Sequence, residues 1–222
     1  MRIPSKEDCY KLMYETGMLP NIVAHSLQVC RVAVFLSDHL EKQGIKLNRE
    51  LIETSALLHD ITKTRSLKTG EIHSLTGAEL IGGMGYPEVA YIIGHHVVVD
   101  ENFITGQPTE VEIVNFADKR VLHDRIVSLQ ARMDYILAKY VKNPGDKERI
   151  MQNWFRAKAL EKKLFDLLPF SPDDLDSLLC TDHLAAAIEE YQRYCNRFFN
   201  NTSSHVSISF DETPPTGVTS SK

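Results

Sequence analysis

Apolar positions recur along this chain with a helical period over most of its length. From Pro20-Asn21 onward, Val29, Ala33, Leu36 and Leu40 fall at i, i+4, i+7 and i+11, the stripe of an amphipathic helix. His25 lies four residues before Val29 on that stripe, so the pattern points an imidazole inward. Upstream, Ser5 with Asp8 three residues on caps a first helix, which Gly17 and Pro20 punctuate. Gly44 stops the long helix, and Asn48 caps a third in which Ile52, Ser55, Ala56 and His59 share a face.

Beyond it, Thr62 to Gly70 is polar and carries Lys63, Arg65 and Lys68, which reads as a loop or short helix. Helices are predicted near 73–83 and 87–97, divided by Gly82, Gly83, Gly85 and Pro87. His73 opens the first, and His95 and His96 close the second. The stretch 98–109, with Gly106 and Pro108, is predicted to form a loop over the site. A long helix is then predicted from Thr109 to about Tyr140, with Val114, Asp118, Val121 and Leu122 on one side. Asn143-Pro144-Gly145 breaks the chain before a helix over 147–168. Ser171-Pro172 starts a last helix reaching about Phe199. From Asn200 the chain is rich in Ser, Thr and Pro, a composition that predicts disorder.

Composition narrows the picture. A chain of 222 residues that is 43% hydrophobic can bury a full core. A net charge of -5 and a pI near 6.0 exclude a dedicated duplex-binding protein, which would present a basic face. A short nucleotide stays compatible, because a metal can meet its phosphates. Cys9, Cys30, Cys180 and Cys195 are scattered, without the close pairs of a zinc knuckle or redox motif, and read as reduced. The N-terminus has no signal-like apolar core, and no window approaches the roughly 18 apolar residues of a spanning helix. The expectation is a soluble, cytoplasmic protein.

The candidate chemistry centres on His59-Asp60, at the end of the apolar run Ala56-Leu57-Leu58. His25, His73, His95, His96 and Asp118 are spaced around it, each beside a helical stretch. Neutral imidazoles and carboxylates are the ligands that borderline divalent metals take, and one carboxylate can bridge two ions. Each residue alone also fits a plainer role. His25 could be a hydrogen-bonded core histidine, His95-His96 a helix C-terminus that favours cations, and Asp118 an ion-pair partner of Lys119 or Arg120. A joint cluster of buried histidines and carboxylates, however, carries a heavy desolvation cost without metal or close pairing. His39, His123, His183 and His205 lie outside the pattern and read as ordinary.

The order His25, Leu57-Leu58-His59-Asp60-Ile61-Thr62-Lys63, His73, His95-His96 and Ala117-Asp118-Lys119 resembles the HD superfamily of metal-dependent phosphohydrolases. It is most similar to the bacterial branch whose signature reads His-Asp-Ile-Gly-Lys, from which Thr62 departs. Gly85-Tyr86-Pro87 precedes the paired histidines, so it is a helix-start turn and not the motif of the cyclic-dinucleotide phosphodiesterases.

The resemblance implies an all-α helical bundle. Residues 1–142 would form the HD domain, 143–199 a helical extension packed on it, and 200–222 a disordered tail. It also implies that His25, His59, Asp60 and Asp118 hold a first divalent ion, with Asp60 bridging to a second held by His73 and His95, and with His96 as a further candidate at its periphery. Mn, Fe, Co or Ni would suit such a site, with Mg or Zn as further options. Two ions can turn a shared water into a hydroxide nucleophile and clamp phosphate oxygens. Lys63 would then be either a phosphate-binding residue or a solvated loop lysine, with Arg65, Lys68 and Arg120 as weaker candidates. The implied substrate is a small phosphoester or phosphoanhydride, foremost a nucleotide, with no long nucleic acid or membrane as partner. A di-iron oxygenase and a catalytically idle metal-binding sensor are the alternatives.

Overall fold

The computed structural model describes residues 1–179 and 182–199 and is an all-α bundle. Its helices are α1 (Lys6–Glu15), α2 (Pro20–Lys42), α3 (Arg49–Leu58), α4 (Lys63–Thr69), α5 (His73–Gly83), α6 (Pro87–Gly94), α7 (Glu110–Lys119), α8 (Leu129–Tyr140), α9 (Pro144–Phe165), α10 (Leu175–Leu179) and α11 (Asp182–Phe199). Short 3₁₀ turns occupy Glu101–Ile104 and Pro172–Asp174. A two-stranded ribbon, β1 (Val121–Leu122) and β2 (Arg125–Ile126), pairs antiparallel between α7 and α8. Among the described residues, no helix is long and apolar enough to cross a membrane. Cys180, His205 and the tail predicted to be disordered lie outside the described residues.

The caps read from the sequence form. Asp8 N donates to Ser5 Oγ at 3.1 Å while Ser5 N donates to Asp8 Oδ2 at 3.0 Å, and Leu51 N donates to Asn48 Oδ1 at 3.0 Å. The central helix is α2, whose Val29, Ala33, Leu36 and Leu40 are fully buried against α3 and α7, with α11 also lying on it. α5 and α6 form an antiparallel pair that docks on α3 through α6. The approach is close where α5 meets the turn after α3. A Cβ at Gly77 would lie 3.1 Å from Ile93 Cγ2 and 3.3 Å from Ile61 Cγ2. α9 packs on α7 and α8, and its Trp154, Leu160 and Leu164 join the same continuous core.

Three expectations change. The single helix from Thr109 to Tyr140 is broken at Arg120 by the ribbon. Val121-Leu122 and Arg125-Ile126 flank a His123-Asp124 turn, and His123 takes the left-handed conformation (φ 57°). Two short apolar runs around a polar dipeptide are a hairpin signal, one that a reading for helical period passes over. The last predicted helix opens instead with the Pro172–Asp174 turn, and α10 and α11 are its described helical parts. The 98–109 segment does not cover the site. Lys163 of α9 donates to the carbonyls of Phe103, Thr105 and Gln107, and Asn153 of α9 bonds Val97 and Val99. The segment is thus strapped along α9 to the far end of α7, where it lines a cavity of about 550 Å³.

Candidate metal centre

The residues that converge come from the C-terminal ends of three helices, with α2 and α5 alongside. His59 is the C-cap of α3 with Asp60 next in the chain, His96 lies just past the end of α6, and Asp118 is the penultimate residue of α7. His25 comes from α2 and His73 is the first residue of α5. Helix C-termini carry partial negative charge, so three of them meeting here favour a cation.

The tautomers follow from the hydrogen bonds. Nδ1 of His25 donates to His123 O at 2.7 Å, Nδ1 of His59 to Ala56 O at 2.8 Å, and Nδ1 of His96 to Ile93 O at 2.7 Å. A carbonyl can only accept, so in each neutral ring Nε2 is the bare nitrogen. These Nε2 atoms face carboxylate oxygens. His25 Nε2 is 3.1 Å from Asp118 Oδ1, and His59 Nε2 is 3.6 Å from Asp60 Oδ2 and 3.7 Å from Asp118 Oδ1. Burial lowers the pKa of His59 to about 4 against the pull of Asp60, so at neutral pH its lone pair confronts an anion. Among the described residues, the buried His59 Nε2 and Asp60 Oδ1 make no hydrogen bond. Lone pairs fixed against carboxylates repel unless a cation sits between them, and the donor set therefore fits a divalent metal. The ligand atoms of His25, His59 and Asp118 lie within 4.8 Å of one another, as do those of His59, Asp60 and His96.

The two oxygens of Asp60 face different histidines. Oδ2 looks toward His59 and His25, at 3.6 and 4.0 Å; Oδ1 looks toward His73 and His96, at 3.1 and 3.6 Å. Burial opposes ionisation of Asp60, yet His59, then His73, His96 and Lys63, hold its carboxyl well below the usual range. Asp118 is shifted the same way, its burial outweighed by His25 and Arg132. Burial also lowers His73, despite Asp60.

Six of the seven expected ligands, His25, His59, Asp60, His73, His96 and Asp118, are thus brought together. His95 is not. It caps α6 with Nδ1 donating to Tyr91 O at 2.7 Å and its ring against that of Tyr91, while the next residue, His96, turns in to lie 3.1 Å from His73 Nε2. Lys63 stands at the edge of the cluster, Nζ 3.6 Å from Asp60 Oδ1 and 3.3 Å from His73 Nε2, its side chain about one-third exposed. The other basic candidates point elsewhere. Arg65 pairs with Glu71, Lys68 is exposed, and Arg120 is buried on Val127 O, Glu161 and Pro172 O. Thr62, in place of the branch's Gly, has φ -102°, which any residue adopts, and its hydroxyl donates to His73 O at 2.8 Å.

Two participants escaped the sequence reading. His123, taken as ordinary, supplies the carbonyl that orients His25. Arg132 of α8 reaches Asp118 Oδ1 at 3.9 Å; as a polar residue of an amphipathic helix, it carries no sequence signal.

The segment from Ile22 to Val121, which includes every one of the six ligands, matches the model of the HD domain. The chain thus contains an HD domain over residues 22–121. HD domains bind divalent metals and make up a family of metal-dependent hydrolases. Among relatives of this HD protein, a tRNA (cytidine(56)-2'-O)-methyltransferase of Picrophilus torridus is 27% identical over 187 residues, covering 78% of this chain and 50% of its own. A ribonuclease Y of Chloroflexus aurantiacus is 27% identical over 195 residues, or 83% of this chain and 35% of its own. An uncharacterised protein of Methanocaldococcus jannaschii is 27% identical over 134 residues, or 56% and 78%. The chain spans half or less of the length of the two relatives that carry an activity in their names. No solved structure matches it.

Proposed function

We propose that this HD protein is a phosphohydrolase that holds two divalent ions and cleaves a small phosphoester or phosphoanhydride, with nucleotides as the foremost substrate class. The observation that carries the reading is the division of Asp60, with Oδ2 toward His25 and His59 and Oδ1 toward His73 and His96. That is the arrangement of a bridging carboxylate. His25, His59 and Asp118 would hold one ion, and His73 and His96 the other. When bound, such a pair supplies an activated water and a clamp for phosphate oxygens.

The chain's own groups do the rest. The backbone carbonyls of His123, Ala56 and Ile93 keep three ligand nitrogens bare, so the cluster is ready for metal without reorganising. Lys63, tethered beside Asp60 and His73 yet open to solvent, offers its ammonium to a non-bridging phosphate oxygen as charge builds on it. A small substrate suits a chain of net charge -5 better than a long polyanion does.

The test is a screen of purified protein against phosphorylated metabolites, with Mn, Fe(II), Co, Ni and Mg supplied separately and bound metal measured by elemental analysis. Phosphate release together with more than one transition-metal ion per chain is expected. A folded, metal-replete protein that releases no phosphate from any of them ends the reading. Iron-retaining, oxygen-consuming turnover would replace it with the oxygenase.

A further inference from the structure

Lys63 flanks the cluster on the Asp60–His73 side; a second cation flanks the opposite side. Arg132 projects from α8 toward Asp118, with Nη2 3.9 Å from Oδ1, too far for a hydrogen bond. Its Nε is buried and makes no hydrogen bond among the described residues, and its side chain is 18% exposed. Arg120 behaves differently: every nitrogen of that fork is engaged, on Val127 O, Glu161 and Pro172 O. The backbone under Arg132 is fixed, because Ser128 caps α8 and Leu129 and Met133 are buried in the core on either side. A guanidinium held at a polar cluster, with a buried donor left over, is a group awaiting an acceptor.

On the phosphohydrolase reading of this cluster, we propose that Arg132 is a substrate-binding residue that selects a terminal, dianionic phosphate over an internal phosphodiester. A diester offers two non-bridging oxygens and one negative charge. Both oxygens would be taken up by the cluster and Lys63. A terminal phosphate, whether a monoester or the end of an anhydride, brings a third oxygen and a second charge. The planar fork of an arginine matches that extra oxygen better than an ammonium would. Arg132 and Lys63, on opposite sides of the carboxylate pair, would then hold such a group from both edges.

The experiment uses the full chain loaded with Mn²⁺ and compares p-nitrophenyl phosphate with bis-p-nitrophenyl phosphate, which share a leaving group. The wild type should favour the monoester. Arg132→Gln should lower the monoester-to-diester ratio of kcat/KM by about tenfold or more, mainly through KM, with bound metal unchanged and Arg132→Lys intermediate. Inorganic phosphate should bind at least about tenfold more weakly to Arg132→Gln by calorimetry. A wild type that prefers the diester overturns the assignment, as does an unchanged ratio. So does an equal loss on both esters with falling metal content in both variants, which would make Arg132 a positioning group for Asp118. If the wild type cleaves neither ester with any metal, the phosphohydrolase reading falls on its own account, and the calorimetry then decides Arg132. Weakened phosphate binding supports its anion-binding role, and equal affinity removes it.

Discussion

Helix α7 carries two carboxylates, Glu112 buried and Asp118 partly so, that live in opposite surroundings. Glu112, near its start, accepts from Thr109 N and from Lys163 Nζ, both at 2.7 Å, and the rest of that ammonium is spent on three carbonyls of the 98–109 segment. Asp118, six residues on and roughly 9 Å along the axis, faces bare imidazole nitrogens and an arginine beyond bonding distance. Both sites are charged, enclosed and built on the same helix. The first is saturated, and it staples α7 to α9. The second keeps lone pairs aimed at carboxylates, a state that is stable only when something cationic completes it. Hydrogen-bond saturation, more than burial or charge, separates scaffold from site here.

The contrast can be broken most forcefully at Asp60. Asp60→Ala should lower kcat/KM on the order of a thousandfold or more and release metal. His96→Ala, which serves one side only, should lose less, and equal residual activity in the two folded variants would refute the bridging role. At the saturated end, Glu112→Ala leaves Lys163 buried without its anion and should cost about 3 kcal/mol of unfolding free energy, while metal content holds. Loss of metal in that variant would show that the two ends are not separable. Lys63→Ala should reduce kcat/KM roughly tenfold to a thousandfold, about 1.4–4 kcal/mol, without changing bound metal, and Lys63→Arg should restore part of it. Wild-type kinetics would return Lys63 to the solvent.

Acid should destabilise the fold through the unsaturated end, whereas burial raises the Glu112 carboxyl at the other. His59 and His73 are held below their unfolded value near 6.5, and Asp60 and Asp118 well below theirs near 3.8. At these four groups the unfolded chain therefore binds more protons than the metal-free fold. The urea midpoint of the metal-free protein should fall from about pH 6.5 toward 4 as the histidines' contribution is lost, and further below that as the carboxylates' contribution follows. A midpoint flat across that window would contradict the neutral, bare-nitrogen state of the cluster. The smallest effect belongs to His95→Ala, whose activity and metal content should stay within about twofold of wild type, as is usual for a residue away from the chemistry. A loss like that of His96→Ala would place His95 back among the ligands.

Ligand types and helical period were enough to find six members of the centre, because an inward histidine on an apolar stripe is a local property. They ranked His95 ahead of His96, an order the structure reverses. Neighbours on a helix differ by about 100° in direction, and the choice is made by how the chain leaves α6, with His95 itself as the C-cap (φ -109°, ψ 8°). Thr62 was legible as a departure but not as a tie to His73, which needs the closeness that Gly77 permits between α5 and the Ile61-Thr62 turn. The ribbon was hidden for a different reason. Val121, Leu122 and Ile126 continue the apolar pattern of α7, and the two-residue turn that puts His123 in the left-handed region also aims its carbonyl at His25.

That His59, Asp60, His96 and Asp118 sit where helices end has a consequence for how this architecture tolerates changes of length. A residue inserted within α3, α6 or α7 would swing the downstream ligand by about 100° around the axis and lift it about 1.5 Å, severing it from its partners. The same insertion ahead of Asn48, Pro87 or Thr109 is taken up by a connecting segment, and the ligand stays in place. The chain thus has a fixed pole and a variable one. Loops on the variable pole, including the wall of the cavity between α6 and α7, can lengthen, shorten or exchange while the histidines keep their register.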